Sequence, residues 1–181
     1  MKKFVLSLTL FRIIAGPLIF VMIIFFQYSF LALFVFIAAS LSDFLDGKLA
    51  RSYEVETSLG AVLDPIADKI LILFTLFSIT IITKDPFVGM IASLILAREF
   101  WVSGLREFAA KGNLSSATKV TFLAKTKTSV QFTSILFFFV GFELSNALII
   151  FLASFLLFLS LLISIKTAIQ YSENVFKVNK D

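Results

Sequence analysis

Residues 43–68 read DFLDGKLARSYEVETSLGAVLDPIAD, with Asp43, Asp46, Asp64 and Asp68 standing between two long apolar stretches. Charged groups within or beside a membrane helix are costly and are held by a cavity or a partner. Four carboxylates in so short a region therefore demand cations. At 100° per residue, Asp43, Asp46, Gly47 and Ala50 fall in one stripe of a helix, and Gly60, Asp64 and Asp68 recur every four residues in another. A short connection makes the two helices antiparallel neighbours, so the stripes are expected to face each other and form an oxygen-rich pocket.

Outward from this segment the chain is apolar. Of 181 residues 59% are hydrophobic and 15% charged, and the mean hydropathy is +1.01. A soluble domain carries more charge because its surface faces water, so the composition points to an all-α, polytopic membrane protein. A spanning helix needs about 20 mostly apolar residues. Six stretches qualify: Leu8–Gln27, Ser29–Ala50, Leu59–Ile82, Phe87–Phe108, Thr126–Phe142 and Ala147–Tyr171. No repeat or linker divides them, and residues 1–181 read as one integral membrane domain.

With both termini on one side, that side holds every Lys and Arg except Lys84, 15 of 16. The positive-inside rule makes it cytoplasmic. The net charge of +4 is thus a matter of topology and gives no reason to expect nucleic-acid binding. The opening apolar run continues to Phe26, longer than the core of a secretory signal, and reads as a first span.

The chain has neither Cys nor His. Thiolate nucleophiles, imidazole bases and Cys- or His-bound metals are excluded, and acid–base or metal chemistry falls to carboxylates, Lys, Tyr and hydroxyls. Oxygen donors alone suit hard divalent cations such as Mg²⁺, Mn²⁺ or Ca²⁺, and four carboxylates suit two ions sharing bridging ligands. Gly47, Ala50 and Gly60 clear space beside the carboxylates. Arg51 offers a fork of donors for phosphate or carboxylate. The competing reading pairs the carboxylates with Lys48, Arg51 and Lys69 as intramembrane ion pairs, and lets the small residues merely pack helices.

The pattern DxxDGxxAR, eight residues, GxxxDxxxD resembles the signature of the CDP-alcohol phosphatidyltransferases at every fixed position. Chance would produce it at roughly 10⁻¹⁰ per starting position. The resemblance implies a six-helix membrane enzyme, typically a homodimer among membrane lipids, that transfers the phosphatidyl group of CDP-diacylglycerol to an alcohol and releases CMP. It implies that Asp43, Asp46, Asp64 and Asp68 bind two divalent cations, Mg²⁺ or Mn²⁺. Gly47, Ala50, Arg51 and Gly60 would shape the CDP site, and Asp68 would act as general base.

Three further segments, SLTLFRIIAGP (7–17), AREFWVSGLREFAAKG (97–112) and AKTKTSVQ (124–131), resemble one bacterial branch of the family, whose acceptor is sn-glycerol 3-phosphate. Arg98, Arg106, Lys125 and Lys127 are the expected partners of that acceptor's phosphate. The alternative for these cations is anchoring at lipid headgroups, which is preferred for Lys111 and Lys119. Ala124 stands where that branch often has Gly. Thr9 and Arg12 match its opening motif, and Arg12 can also be read as an interfacial anchor. Acceptors such as inositol phosphate, serine or phosphatidylglycerol are the nearest alternatives. A divalent-cation transporter is the alternative of another class, disfavoured because the Asp cluster lies near one face and no repeat is present.

Overall fold

The structure, a computed structural model, describes residues 2–52, 58–112 and 122–178, with side chains for 6–43, 60, 62–112 and 122–177. Every regular element among them is a helix: α1 (Lys2–Ile24), α2 (Ser29–Ser52), α3 (Ser58–Thr83), α4 (Pro86–Lys111), α5 (Phe122–Glu143) and α6 (Ala147–Val178).

The helices mostly overrun the apolar stretches that announce them. Hydropathy marks only the part suited to hydrocarbon, whereas backbone hydrogen bonding continues until a residue leaves helical dihedrals. The α1 helix starts at Lys2 rather than Leu8, and α6 runs to Val178, about two turns past Tyr171. The α1 end is the exception. It stops at Ile24 because Gln27 takes φ 57° and turns the chain.

Left-handed residues also close the other two short turns, Lys84 at φ 50° and Ser145 at φ 49°. At the end of α3 the Lys84 amide donates to the Thr80 carbonyl, and at the end of α5 the Asn146 and Ser145 amides donate back to Gly141 and Phe142. These are the bonds that satisfy orphan carbonyls at a helix end. The next helix is then started by Asp85, whose side chain accepts from the Phe87 amide at 2.8 Å ahead of Pro86 in the first turn.

Among the described residues four helices are long and apolar enough to cross a bilayer, over Leu6–Ile24, Val62–Thr83, Pro86–Lys111 and Ala147–Lys177. In α2 the described apolar part, Ser29–Asp43, is shorter, and α5 opens with Lys125 and Lys127. The protein is a multi-pass membrane protein. Its surface agrees: Phe25, Phe100, Leu148 and Phe151 are exposed. Inside, the buried Thr75 and Ser78 hydroxyls are spent on carbonyls one turn back in their own helix.

The residues group into two compact units, one of Met1–Lys84 with Phe139–Asn146, the other of Asp85–Phe138 with Ala147–Asp181. In the first, α1 packs along both α2 and α3, while α2 and α3 touch sparsely among the described residues. Phe20 of α1 lies parallel to Phe77 of α3 at 5.7 Å and edge-on to Phe74. Gly16 allows α1 a close approach to α3, since a Cβ there would stand 3.0 Å from the Ile70 carbonyl oxygen. In the second unit Val102, Leu105 and Ala109 of α4 pack on Ala168, Tyr171 and Val175 of α6, and Ala124 packs against that cluster. Ser134 of α5 donates to the Ala153 carbonyl of α6 at 2.8 Å.

Candidate active site

The carboxylates of the 43–68 segment meet on α1. Arg12 Nη1 donates to Asp43 Oδ1 at 2.6 Å and also to Asp68 Oδ1, and Nη2 donates to Asp64 Oδ1 at 3.1 Å. Thr9, three residues earlier on the same face, donates to Asp64 Oδ1 at 2.7 Å. One guanidinium thus ties α2 to α3, and the acids of the two stripes are brought together as expected, with a cation of α1 among them. Arg12 is no interfacial anchor: its side chain is 0% exposed, against 52%, 39% and 49% for Asp43, Asp64 and Asp68. The cation is at the closed side and the acids at the open side.

Lys69, one of the proposed ion-pair partners, gives its ammonium to the Pro65 carbonyl at 2.9 Å. Gly60 is buried one turn before Asp64. The Asp46, Gly47, Ala50 and Arg51 positions lie on α2, but their side chains are outside the described residues, as are those of Lys48 and Lys119.

Among these side chains three negative charges face one positive charge. Arg12 cannot give up its proton, and the excess remains negative. Among the described residues no three acidic groups are already spaced as a metal cage; one oxygen of each of the three is turned to Arg12. The donor set is nonetheless all oxygen, on neighbouring helices, in negative excess and half open to its surroundings. That chemistry fits hard divalent cations and does not fit zinc or copper.

The second unit holds a separate group of cations. Arg98 Nε donates to the Ser164 carbonyl at 2.9 Å, Nη2 to Thr167 Oγ1 at 2.6 Å, and Nη1 lies 3.3 Å from Glu99 Oε1. The Lys127 ammonium bonds the same Glu99 oxygen. Arg98 and Lys127 are therefore brought together, through a carboxylate that sequence reading did not single out. Its signal was available: Glu99 is an acid in an apolar helix, beside Arg98, and such a group needs a cationic partner. Arg106 lies 5.7 Å over the Tyr171 ring, and Lys125 is exposed. Lys111 pairs with Glu107 on its own helix at 2.7 Å, in keeping with a solvated surface role.

A family model, CDP-alcohol phosphatidyltransferase, matches residues 6–166. The chain is 44% identical to the CDP-diacylglycerol--glycerol-3-phosphate 3-phosphatidyltransferase of Cereibacter sphaeroides over 138 residues, 74% of this chain and 62% of that protein. It is 45% identical over 112 residues to the protein of the same name from Rickettsia bellii, covering 62% and 60% of the two chains. The like-named Escherichia coli K12 protein is 35% identical over 131 residues, 71% of each. The chain thus spans about three fifths of the length of the Cereibacter and Rickettsia bellii relatives.

Proposed function

The chain belongs to the CDP-alcohol phosphatidyltransferase family, and from that premise we propose that it transfers the phosphatidyl group of CDP-diacylglycerol to sn-glycerol 3-phosphate, as a phosphatidylglycerophosphate synthase. The observation that carries this reading is the convergence of Asp43, Asp64 and Asp68 on the buried Arg12, at the positions where the family signature falls.

Asp68 takes the proton of the acceptor hydroxyl. The oxygen forms a bond to the phosphorus that carries diacylglycerol, the bond from that phosphorus to the CMP oxygen breaks, and CMP leaves with the electron pair. Asp43, Asp46, Asp64 and Asp68 would hold two divalent cations, Mg²⁺ or Mn²⁺. When bound, these supply charge stabilisation for the diphosphate and the departing CMP. Gly47, Ala50 and Gly60 leave room for the CDP moiety, and Arg51 provides donors for it.

For the acceptor, Arg98, Arg106, Lys125 and Lys127 supply positive charge to a phosphate. The pairing of two cations on the single carboxylate of Glu99 leaves a positive excess there, which supports an anionic acceptor over a zwitterionic one such as serine. The distribution of Lys and Arg supports six spans with termini and active site on the cytoplasmic side of a bacterial inner membrane. A homodimer is the expected assembly.

Labelled glycerol 3-phosphate incubated with the detergent-purified protein, CDP-diacylglycerol and Mg²⁺ or Mn²⁺ should appear in a phosphatidylglycerophosphate product. Incorporation of another alcohol instead reassigns the acceptor. Divalent-cation uptake into liposomes without any lipid product would favour transport. Arg106→Ala should raise KM for glycerol 3-phosphate by about tenfold, the loss of one charge-assisted contact, with KM for the CDP-lipid little changed; an equal rise for both substrates would assign Arg106 a structural role on Tyr171.

A further inference from the structure

We infer that Arg12 is a positioning residue that acts as a built-in counter-cation, holding Asp43, Asp64 and Asp68 together whether or not divalent metal is bound. The inference rests on the metal-binding reading above and concerns this chain's own part in it.

Three observations carry it. The guanidinium reaches one oxygen, Oδ1, of each of three carboxylates on two helices, so a single rigid fork spans the whole described acidic set. It is wholly buried while the acids are about half exposed, so the fork grips them from the closed side. Its own helix is set close to α3 by Gly16, one turn further along the same face, and Thr9, one turn before, adds a bond to Asp64.

An arginine keeps its charge at any pH the protein meets. The acids are therefore never without a cation, and the packing of α1 on α2 and α3 does not wait for metal. Metal-ligating groups are commonly oriented by outer partners; here one partner serves three ligands. The same fixed charge has a second effect. An incoming cation meets a cluster already partly neutralised, so Arg12 also moderates the affinity. Without it the carboxylates lose a fork that joins all three, and divalent metal takes a larger part in holding the unit together.

The test compares thermal unfolding of the full chain in detergent in EDTA and in Mn²⁺, alongside Mn²⁺ binding followed by electron paramagnetic resonance. Wild type should bind Mn²⁺, stay folded in EDTA, and gain in Mn²⁺ only the rise in Tm that its affinity dictates. Arg12→Gln, purified in Mn²⁺, should unfold earlier in EDTA, with a Mn²⁺-dependent rise in Tm at least about 5 °C larger than that of wild type; unfolding on addition of the chelator is the extreme form of the same result. Should Arg12→Gln fail to fold even with Mn²⁺, Arg12→Lys, which keeps the charge and loses the fork, should still show a larger rise than wild type. A rise no larger than that of wild type in the variant measured overturns the inference while leaving the metal reading intact. Absence of Mn²⁺ binding by wild type overturns both.

Discussion

Asp68→Asn should lower kcat by about 10²–10⁴-fold, the usual contribution of a positioned proton acceptor, while the protein still binds CDP-diacylglycerol. An amide cannot take the proton of an attacking hydroxyl. Its oxygen can still accept from the Arg12 guanidinium, which bonds Asp68 Oδ1 in the native protein, so the link between α1 and α3 survives and the loss falls on chemistry. Single-turnover kinetics with an equilibrium measurement of nucleotide-lipid binding separates the two. Wild-type turnover in this variant would remove Asp68 as the base, and loss of lipid binding with unfolding would make its role architectural.

Gly16→Leu should damage the site from a distance. A Cβ at this position would stand 3.0 Å from the Ile70 carbonyl oxygen and 3.3 Å from its carbon. Both are backbone atoms that cannot rotate away, so α1 must shift from α3. Overpacking of this kind costs about 1–3 kcal/mol, and a misplacement of about 1 Å at a reacting centre can cost about 10²-fold in rate. Arg12 sits one turn from Gly16 on the same helix and moves with it. We expect CMP release to fall at least about tenfold and Tm to fall by several degrees, with Gly16→Ala changing both in the same direction by less. Gly104→Ala is the control, because a Cβ there meets nothing within 4 Å, and it should leave the rate unchanged and Tm unchanged or slightly raised. Native rates in Gly16→Leu would show that the tight α1–α3 contact has no bearing on the site.

These two positions illustrate what could and could not be read from the chain. Hydropathy located the six helices among the described residues, four of them long and apolar enough to cross a bilayer, but it misplaced ends such as those of α1 and α6, which are set by backbone dihedrals and by bonds at the helix termini. The spacing of Gly60, Asp64 and Asp68 identified one acidic stripe, and Asp43 falls beside it as expected. What spacing along one helix cannot disclose is which other helix lies against it. The packing of α1 on both α2 and α3 follows from three-dimensional structure, as does the closeness of Gly16 to Ile70, since a glycine in an apolar helix has many uses.

Arg12 is the instructive case. A cation near the start of a first span is commonly an anchor at the headgroups, and that local reading competed with the stronger one, that four acids in a membrane need a buried counter-charge. Lys48, Arg51 and Lys69 are the cations nearest in sequence, whereas a partner shared by the three described acids lies more than thirty residues away along the chain. Glu99 is a similar case: in a segment dominated by cations, spacing along the helix gives no sign that this acid gathers Arg98 and Lys127.

The central claim is that the carboxylates gathered on Arg12 form one reaction centre. It is tested most directly by measuring CMP release from CDP-diacylglycerol, with glycerol 3-phosphate and Mg²⁺ present, for wild type and for Asp43→Asn, Asp64→Asn and Asp68→Asn singly. The account predicts acceptor-dependent release by wild type and a fall of at least about 10²-fold in each variant. Release at the wild-type rate by any one of the three would contradict it.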